Sequence, residues 1–163
     1  MFDIQLLRKG HDRTAFDCGD DDLNRYLQRF ASQNQDKDVG RTYVAVEEGD
    51  TRVMGYYTLS SASIEFDEYP EAAGLPHYPI PAILLARLAV DKQFQGKGIL
   101  GPDLLLHALQ TARQHAEGIA AAAVITEAKN ERAQRFYGRF GFVPLKKAGR
   151  HLYLKMKTIR KLP

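Results

Sequence analysis

A single cysteine, Cys18, stands in a chain of 163 residues, which excludes an internal disulfide and a thiolate metal cluster. No histidine block frames Cys18 as a nucleophile, so it is expected to be a small filler on a turn leading into a helix. The five histidines are scattered without metal-ligand spacing, and no metal is expected. No apolar run approaches the roughly twenty residues of a membrane span. The opening segment, Phe2-Asp3-Ile4-Gln5, has none of the anatomy of a signal peptide. A cytoplasmic protein without membrane contact is the expectation. Nothing repeats, and no segment is low in complexity. What the chain does have is 44% hydrophobic residues, enough for one two-layer core, so a single domain over residues 1–163 is expected.

The net charge of +3 conceals an asymmetry. From Leu145 onward stand Lys146, Lys147, Arg150, Lys155, Lys157, Arg160 and Lys161 with no acid, so this tail carries +7 and the rest of the chain −4. Arg132, Arg135 and Arg139 recur at i, i+3, i+7 and share one helix face. Basic stripes on an otherwise acidic chain suggest a polyanionic partner; a solvated face or a coenzyme's own phosphates is the plainer reading.

Weak alternation over residues 2–8 reads as an edge strand with Phe2, Ile4 and Leu6 on one side. Acids at 20–22 followed by Leu23, Tyr26, Leu27 and Phe30 predict a helix over 20–30, and polar residues 32–40 a loop or short frayed helix. Residues 42–46 and 53–61 form an expected hairpin. Pro70, Pro76, Pro79 and Pro81 leave no regular element over 65–81, a stretch that is either an acceptor-side wall or a connector. There follow a strand at 83–90, a helix at 99–117 capped by Gly118, a strand at 120–126, a helix at 131–140 and a strand at 152–157. Antiparallel strands first, then a strand-helix-strand crossover, predict an α/β mixed sheet with helices on both faces.

The strand at 83–90 runs into Gln93-Phe94-Gln95-Gly96-Lys97-Gly98 and then into a helix. Two glycines two residues apart let backbone approach a ligand and turn amide N–H groups together at the positive end of a helix dipole, a geometry that binds phosphate. A dinucleotide fingerprint would place G-x-G-x-x-G early in the chain, whereas here the register through Gly101 is followed at once by Pro102.

A second block, Asn130-Glu131-Arg132-Ala133-Gln134-Arg135-Phe136-Tyr137, stands downstream and ends at Gly141-Phe142. In order and separation the two blocks resemble the GNAT superfamily of acetyl-CoA-dependent N-acetyltransferases. The resemblance implies the GNAT fold, a mixed and mostly antiparallel twisted sheet whose central parallel strands splay apart. It implies that backbone amides of Gln95, Gly96, Lys97, Gly98 and Ile99, opened by Gln93, hold the pyrophosphate of acetyl-CoA, that Leu88, Ala89 and Val90 border its pantetheine arm, and that Asn130, Arg132 and Phe136 contribute to its site. Tyr137 is then the acid beside the thioester sulfur; a phenol with an ordinary pKa of about 10 keeps its proton at neutral pH. Without that resemblance Phe136, Tyr137 and Phe140 read equally as an aromatic core patch. Glu127 is a candidate base, although an amine that binds already neutral needs none.

Further stretches, among them Phe16-Asp17-Cys18-Gly19, Arg41-Thr42-Tyr43-Val44, Ala86-Arg87-Leu88-Ala89-Val90-Asp91 and Leu152-Tyr153-Leu154-Lys155, resemble the branch of tRNA-acetylating toxins of type II toxin-antitoxin pairs. That narrower resemblance implies acetylation of the α-amino group of charged tRNA and a block of translation. It also implies a homodimer held by a ribbon-helix-helix antitoxin, with Arg132, Arg135, Arg139, Lys146, Lys147 and Arg150 contacting RNA phosphates. Where the branch has G-x-G-L-G this chain has Gly98-Ile99-Leu100-Gly101-Pro102, which predicts a shifted or kinked first helical turn. A GNAT enzyme acting on a small amine or a protein N-terminus, and a non-catalytic binding module, are the alternatives.

Overall fold

The computed structural model describes residues 2–147 and 149–163. Along the chain come β1 (Phe2–Leu6), α1 (Asp21–Arg25), a π-turn (Tyr26–Phe30), α2 (Ala31–Asp36), β2 (Arg41–Glu47), β3 (Val53–Ile64) and β4 (Ile80–Val90). They are followed by α3 (Leu100–Gly118), β5 (Ala123–Glu127), α4 (Glu131–Arg139), β6 (Val143–Pro144), β7 (His151–Lys155) and α5 (Met156–Ile159). The strands hydrogen-bond in the order β1-β2-β3-β4-β5-β7-β6. β4 and β5 are parallel, from Ala82↔Ala123 to Leu84↔Ile125, whereas β1–β2, β2–β3, β5–β7 and β6–β7 are antiparallel. This is the mixed sheet that the element order predicts.

Two compact units share these elements: Met1–Ser60 with Leu85–Ala108, and Ser61–Leu84 with Leu109–Pro163. In the first, Asp20 caps α1 by accepting from the N–H groups of Asp22 and Leu23. The helical run passes through the π-turn into α2 and ends where Asp38 adopts φ +61. Its apolar stripe packs Tyr26, Leu27 and Ala31 against Val44, Val46, Val53, Tyr56 and Ala89. Alternation sorts β3 between its two faces. Tyr56 joins that cluster, whereas Tyr57 turns the other way and its hydroxyl meets Nδ1 of His107 on α3 at 2.7 Å. Gly55 lies on this α3 side, where an added Cβ would stand 2.8 Å from Leu104 Cδ1 and 3.1 Å from the Ala89 carbonyl oxygen. We therefore expect Gly55→Ala to destabilise the protein by about 1–3 kcal/mol, read as a lower urea midpoint at unchanged m-value. An unshifted midpoint would mean that α3 withdraws without strain.

The second unit is cored by Ile64, Tyr69, Ala72, Ile80, Ala82, Ala123, Leu145 and Tyr153. Its proline-rich segment is tied down. Tyr153 donates to Glu71 Oε2 at 2.7 Å, Tyr69 meets the Tyr153 ring edge-on at 5.3 Å, and Phe66 stacks on His77 at 4.1 Å.

Several boundaries differ from expectation, each for a local reason. Of the two readings of residues 32–40, the short helix is the one found, since α2 runs on to Asp36 with Ala31 buried in the core. A regular element does enter the proline-rich stretch, since β4 starts at Ile80 and includes Pro81; near the first residue of a strand a missing N–H is tolerated. Pro102 does not interrupt α3, which begins one residue later than expected. The helix starts at Leu100 and its first bond runs from Asp103 N–H to Ile99 O, so Pro102 lies in the first turn, where N–H groups lack helical partners anyway. Gly118 is the last helical residue and keeps a negative φ, so it is not a left-handed cap. On β1, Leu6 is 46% exposed and Leu7 takes the buried place.

Candidate active site

In the first unit the glycine loop is built on Asp91, which is buried. One carboxylate oxygen accepts from the N–H of Gln93 at 3.0 Å and the other from that of Asp17 at 3.1 Å, which pins a tight turn over Lys92–Phe94. Lys92 Nζ pairs with Asp17 Oδ2 at 3.0 Å. The Gln95 side chain donates to the carbonyls of Cys18 (2.9 Å) and Val90 (2.7 Å), and Gln93 Oε1 accepts from Arg52 at 2.9 Å. Both glutamine side chains thus brace the loop. Gly96 and Gly98 follow with φ +77 and +68, and a Cβ on either would meet nothing within 4 Å. Left-handed glycines with open space above them form a cradle for an anion at the start of α3.

Just past the end of β4, the N–H of Asp91 bonds to Met54 O. Backbone groups alternate along a strand, so those of Leu88 and Val90 point to the edge away from β3. Side chains alternate too: Ala89 packs with Tyr26 and Leu27, and Arg87 lies over Tyr26 with its guanidinium carbon 3.5 Å from the ring centroid. Such a contact stabilises by about 0.5–2 kcal/mol.

The second unit carries the tyrosine. Asn130 caps α4, its side chain accepting from Ala133 N–H at 2.9 Å. The far end closes with Gly141 at φ +97, Phe142 N–H reaching Tyr137 O and Gly141 N–H reaching Gly138 O. That bond pair is a Schellman motif, which brings the residue after the glycine against the one that begins the last turn. Here they are Phe142 and Tyr137, with rings 5.4 Å apart. Phe136 meets Tyr137 edge-on at 5.3 Å, and Tyr137 is left 6% exposed. Burial pushes its phenol up to about 12, partly opposed by a hydrogen bond from Thr126, itself buried on β5. On the same helix, Arg132, Arg135, Gly138 and Arg139 line an open hollow of about 580 Å³.

The profile described as "Acetyltransferase (GNAT) family" matches residues 5–142. The chain belongs to the GNAT acetyltransferase family. It is 37% identical over 153 residues to the "tRNA-acetylating toxin" of Mycobacterium tuberculosis (strain ATCC 25618 / H37Rv), covering 93% of this chain and 90% of the relative. Among solved structures it resembles a tyrosine-to-phenylalanine mutant of KacT, with TM-score 0.93, 32% identity and 99% of both chains covered. It also resembles AtaT complexed with acetyl-methionyl-tRNAfMet, with TM-score 0.91, 29% identity and 98% of both chains covered. Other structures in this group hold AtaTR with AcCoA, or AtaT with the C-terminus of the antitoxin AtaR.

The acetyltransferase places its sequence-predicted residues unevenly. Gly96, Lys97, Gly98 and Ile99 form an exposed loop as expected, whereas the side chains of Gln93, Gln95 and Asn130 are engaged in bracing and capping. Arg132, Arg135 and Arg139 share one hollow, with Arg135 also 3.8 Å from Glu131. Lys146 and Lys147 are exposed and Arg150 half-buried on the turn before β7, and Lys155 of the same basic tail pairs with Glu71 at 3.7 Å. Glu127, the candidate base, holds His151 Nε2 at 2.9 Å across the β5–β7 register. Sequence reasoning missed that histidine, Thr126 beneath Tyr137, Arg52 beside the loop, and the Arg87–Tyr26 stack. Only strand register could have found His151; the others come from distant segments.

Proposed function

We propose that this acetyltransferase moves the acetyl group of acetyl-CoA to the α-amino group of the amino acid on charged tRNA, and so blocks translation. The observation that carries the reading is the near-full-length relation to a tRNA-acetylating toxin. In this reading the amides of Gln95 through Ile99 hold the pyrophosphate, and the backbone of Leu88, Ala89 and Val90 takes the pantetheine arm. The α-amine of an aminoacyl ester, less basic than the roughly 8 of a free α-amine, attacks the thioester carbonyl. A C–N bond forms, the C–S bond breaks, and Tyr137 donates its phenolic proton to the leaving sulfur. Because that phenol stands at about 12, several units above the roughly 8.5 of a thiol, a free phenolate does not accumulate. The proton lost by the amine has to reach the phenol in the same event.

Arg132, Arg135, Arg139, Lys146, Lys147 and Arg150 are assigned to RNA phosphates, Arg132 also standing near enough to the α4 N-terminus to serve the coenzyme. A single catalytic domain over residues 1–163 is part of this reading. A homodimer in the cytoplasm, restrained by a ribbon-helix-helix antitoxin, completes the reading. No helix among the described residues is long and apolar enough to cross a membrane.

The test is incubation with acetyl-CoA and a pool of charged tRNA, followed by mass spectrometry of the nuclease-released aminoacyl adenosines. Acetylated adducts are expected, and the modified amino acids name the substrates. Replacing Arg132, Arg135 and Arg139 by Gln should flatten the dependence of log(kcat/KM) on log salt by roughly two. Intact acetyl-CoA binding with no adduct would move the acceptor to a small amine or a peptide.

A further inference from the structure

Arg87 is half-buried on β4, directly before the residues assigned to the pantetheine arm. Its guanidinium carbon lies 3.5 Å from the Tyr26 ring centroid, and its side chain makes no ion pair or hydrogen bond with another described residue. A guanidinium normally saturates a fork of N–H donors, and a half-buried one without acceptors is set for a ligand. Its platform is rigid. Tyr26 stacks on Tyr56 with centroids 6.4 Å apart, its hydroxyl accepts from Asn34 at 3.3 Å, and it opens the π-turn, whose extra residue marks functional sites in many helices.

Strand alternation decides which ligand this is. Arg87 and Ala89 point to the face of β4 that packs on α1 and the π-turn. The glycine cradle leads into α3, and α3 packs on the opposite face, where Leu104 and Leu100 stand over Gly55. A cation on the α1 face therefore stands on the other side of the strand from the cradle for the coenzyme's phosphates, and is placed for a second anionic ligand. We infer that Arg87 is an acceptor-binding residue whose N–H fork takes a phosphodiester oxygen near the aminoacyl end of the charged RNA, with Tyr26 holding the guanidinium in plane. Planar bidentate recognition of phosphate is the use for which arginine is suited and lysine is not. This rests on the acceptor being charged tRNA.

The test compares Arg87→Met and Arg87→Lys with the wild type on charged tRNA across a salt series, with acetyl-CoA affinity by calorimetry. Met keeps an apolar stem over Tyr26 and removes the charge, so the fold is retained; the thermal midpoint checks this. Expected for Arg87→Met are a KM for charged tRNA raised at least about tenfold, kcat and acetyl-CoA affinity within about twofold, and a salt slope shallower by about 0.7–0.9. Arg87→Lys should keep the slope and lose part of the affinity. An unchanged KM and slope in Arg87→Met, or an equal loss of acetyl-CoA affinity, would overturn the inference. Should the wild type acetylate no charged tRNA, the acceptor reading itself fails, and the two failures are told apart by the wild-type lane alone.

Discussion

Tyr137→Phe should lose about 10²–10⁴-fold in kcat while binding acetyl-CoA within twofold of the wild type, because it removes one proton donor and leaves the ring. The ring is what the fold uses: it packs between Phe136 and Phe142 at the end of α4. The hydroxyl contributes one hydrogen bond with Thr126, of about 1 kcal/mol, so the variant should remain folded. The pH profile gives an independent check. Burial raises the phenol to about 12, so the protonated acid persists across the working range and its own basic limb lies near that value. The acid limb of kcat/KM then reports the acceptor amine, which must lose its proton to attack. For stability the sign is the same: a raised folded pKa means that Tyr137's contribution is held below about pH 10 and lost as pH rises towards 12. Loss of only a fewfold in kcat, or a Tyr137-dependent limb near pH 9, would remove Tyr137 from the acid role.

Gly98→Val should weaken acetyl-CoA at least about tenfold and leave the thermal midpoint almost where it was. Gly98 sits at φ +68, a conformation that costs an L-residue about 1–2 kcal/mol and a β-branched one more. A Cβ there meets nothing within 4 Å, so the free protein can relax an exposed loop at little cost in stability. The bound coenzyme cannot tolerate that relaxation, because the amides must stay turned together and the new side chain occupies the approach to them. Kd from calorimetry decides it. A value within twofold of the wild type would show that the phosphates do not use this cradle.

Much of the site was legible because its geometry is encoded within short spans. Gly96 and Gly98 could be read as left-handed because only glycine holds that conformation freely. Tyr137 was singled out by the family resemblance, and the structure adds that Tyr137-Gly138-Arg139-Phe140-Gly141-Phe142 forms a Schellman motif in which Gly141 turns the chain and Phe142 folds back on the tyrosine. Asn130 shows the limit of such reading. It stands where the family motif begins, yet its side chain caps α4, and the motif preserves the helix that aims Tyr137 as much as any coenzyme contact. Gln95 was assigned through its backbone amide, which stays compatible with its side chain bracing the loop on Cys18 and Val90, while the Gln93 side chain bonds Arg52 at the surface.

The sequence by itself determined the mixed sheet, the glycine cradle and the helix that carries Tyr137, since each follows from periodicity, capping or backbone freedom within about a dozen residues. Only the tertiary structure decided that Thr126 lies under Tyr137, that Glu127 is held by His151, and that Arg87 stacks on Tyr26 with its donors open. Those pairings join segments whose meeting depends on strand register and on which face of a strand each side chain takes. A one-residue slip would reverse every one of them, and no local pattern in the chain records that choice.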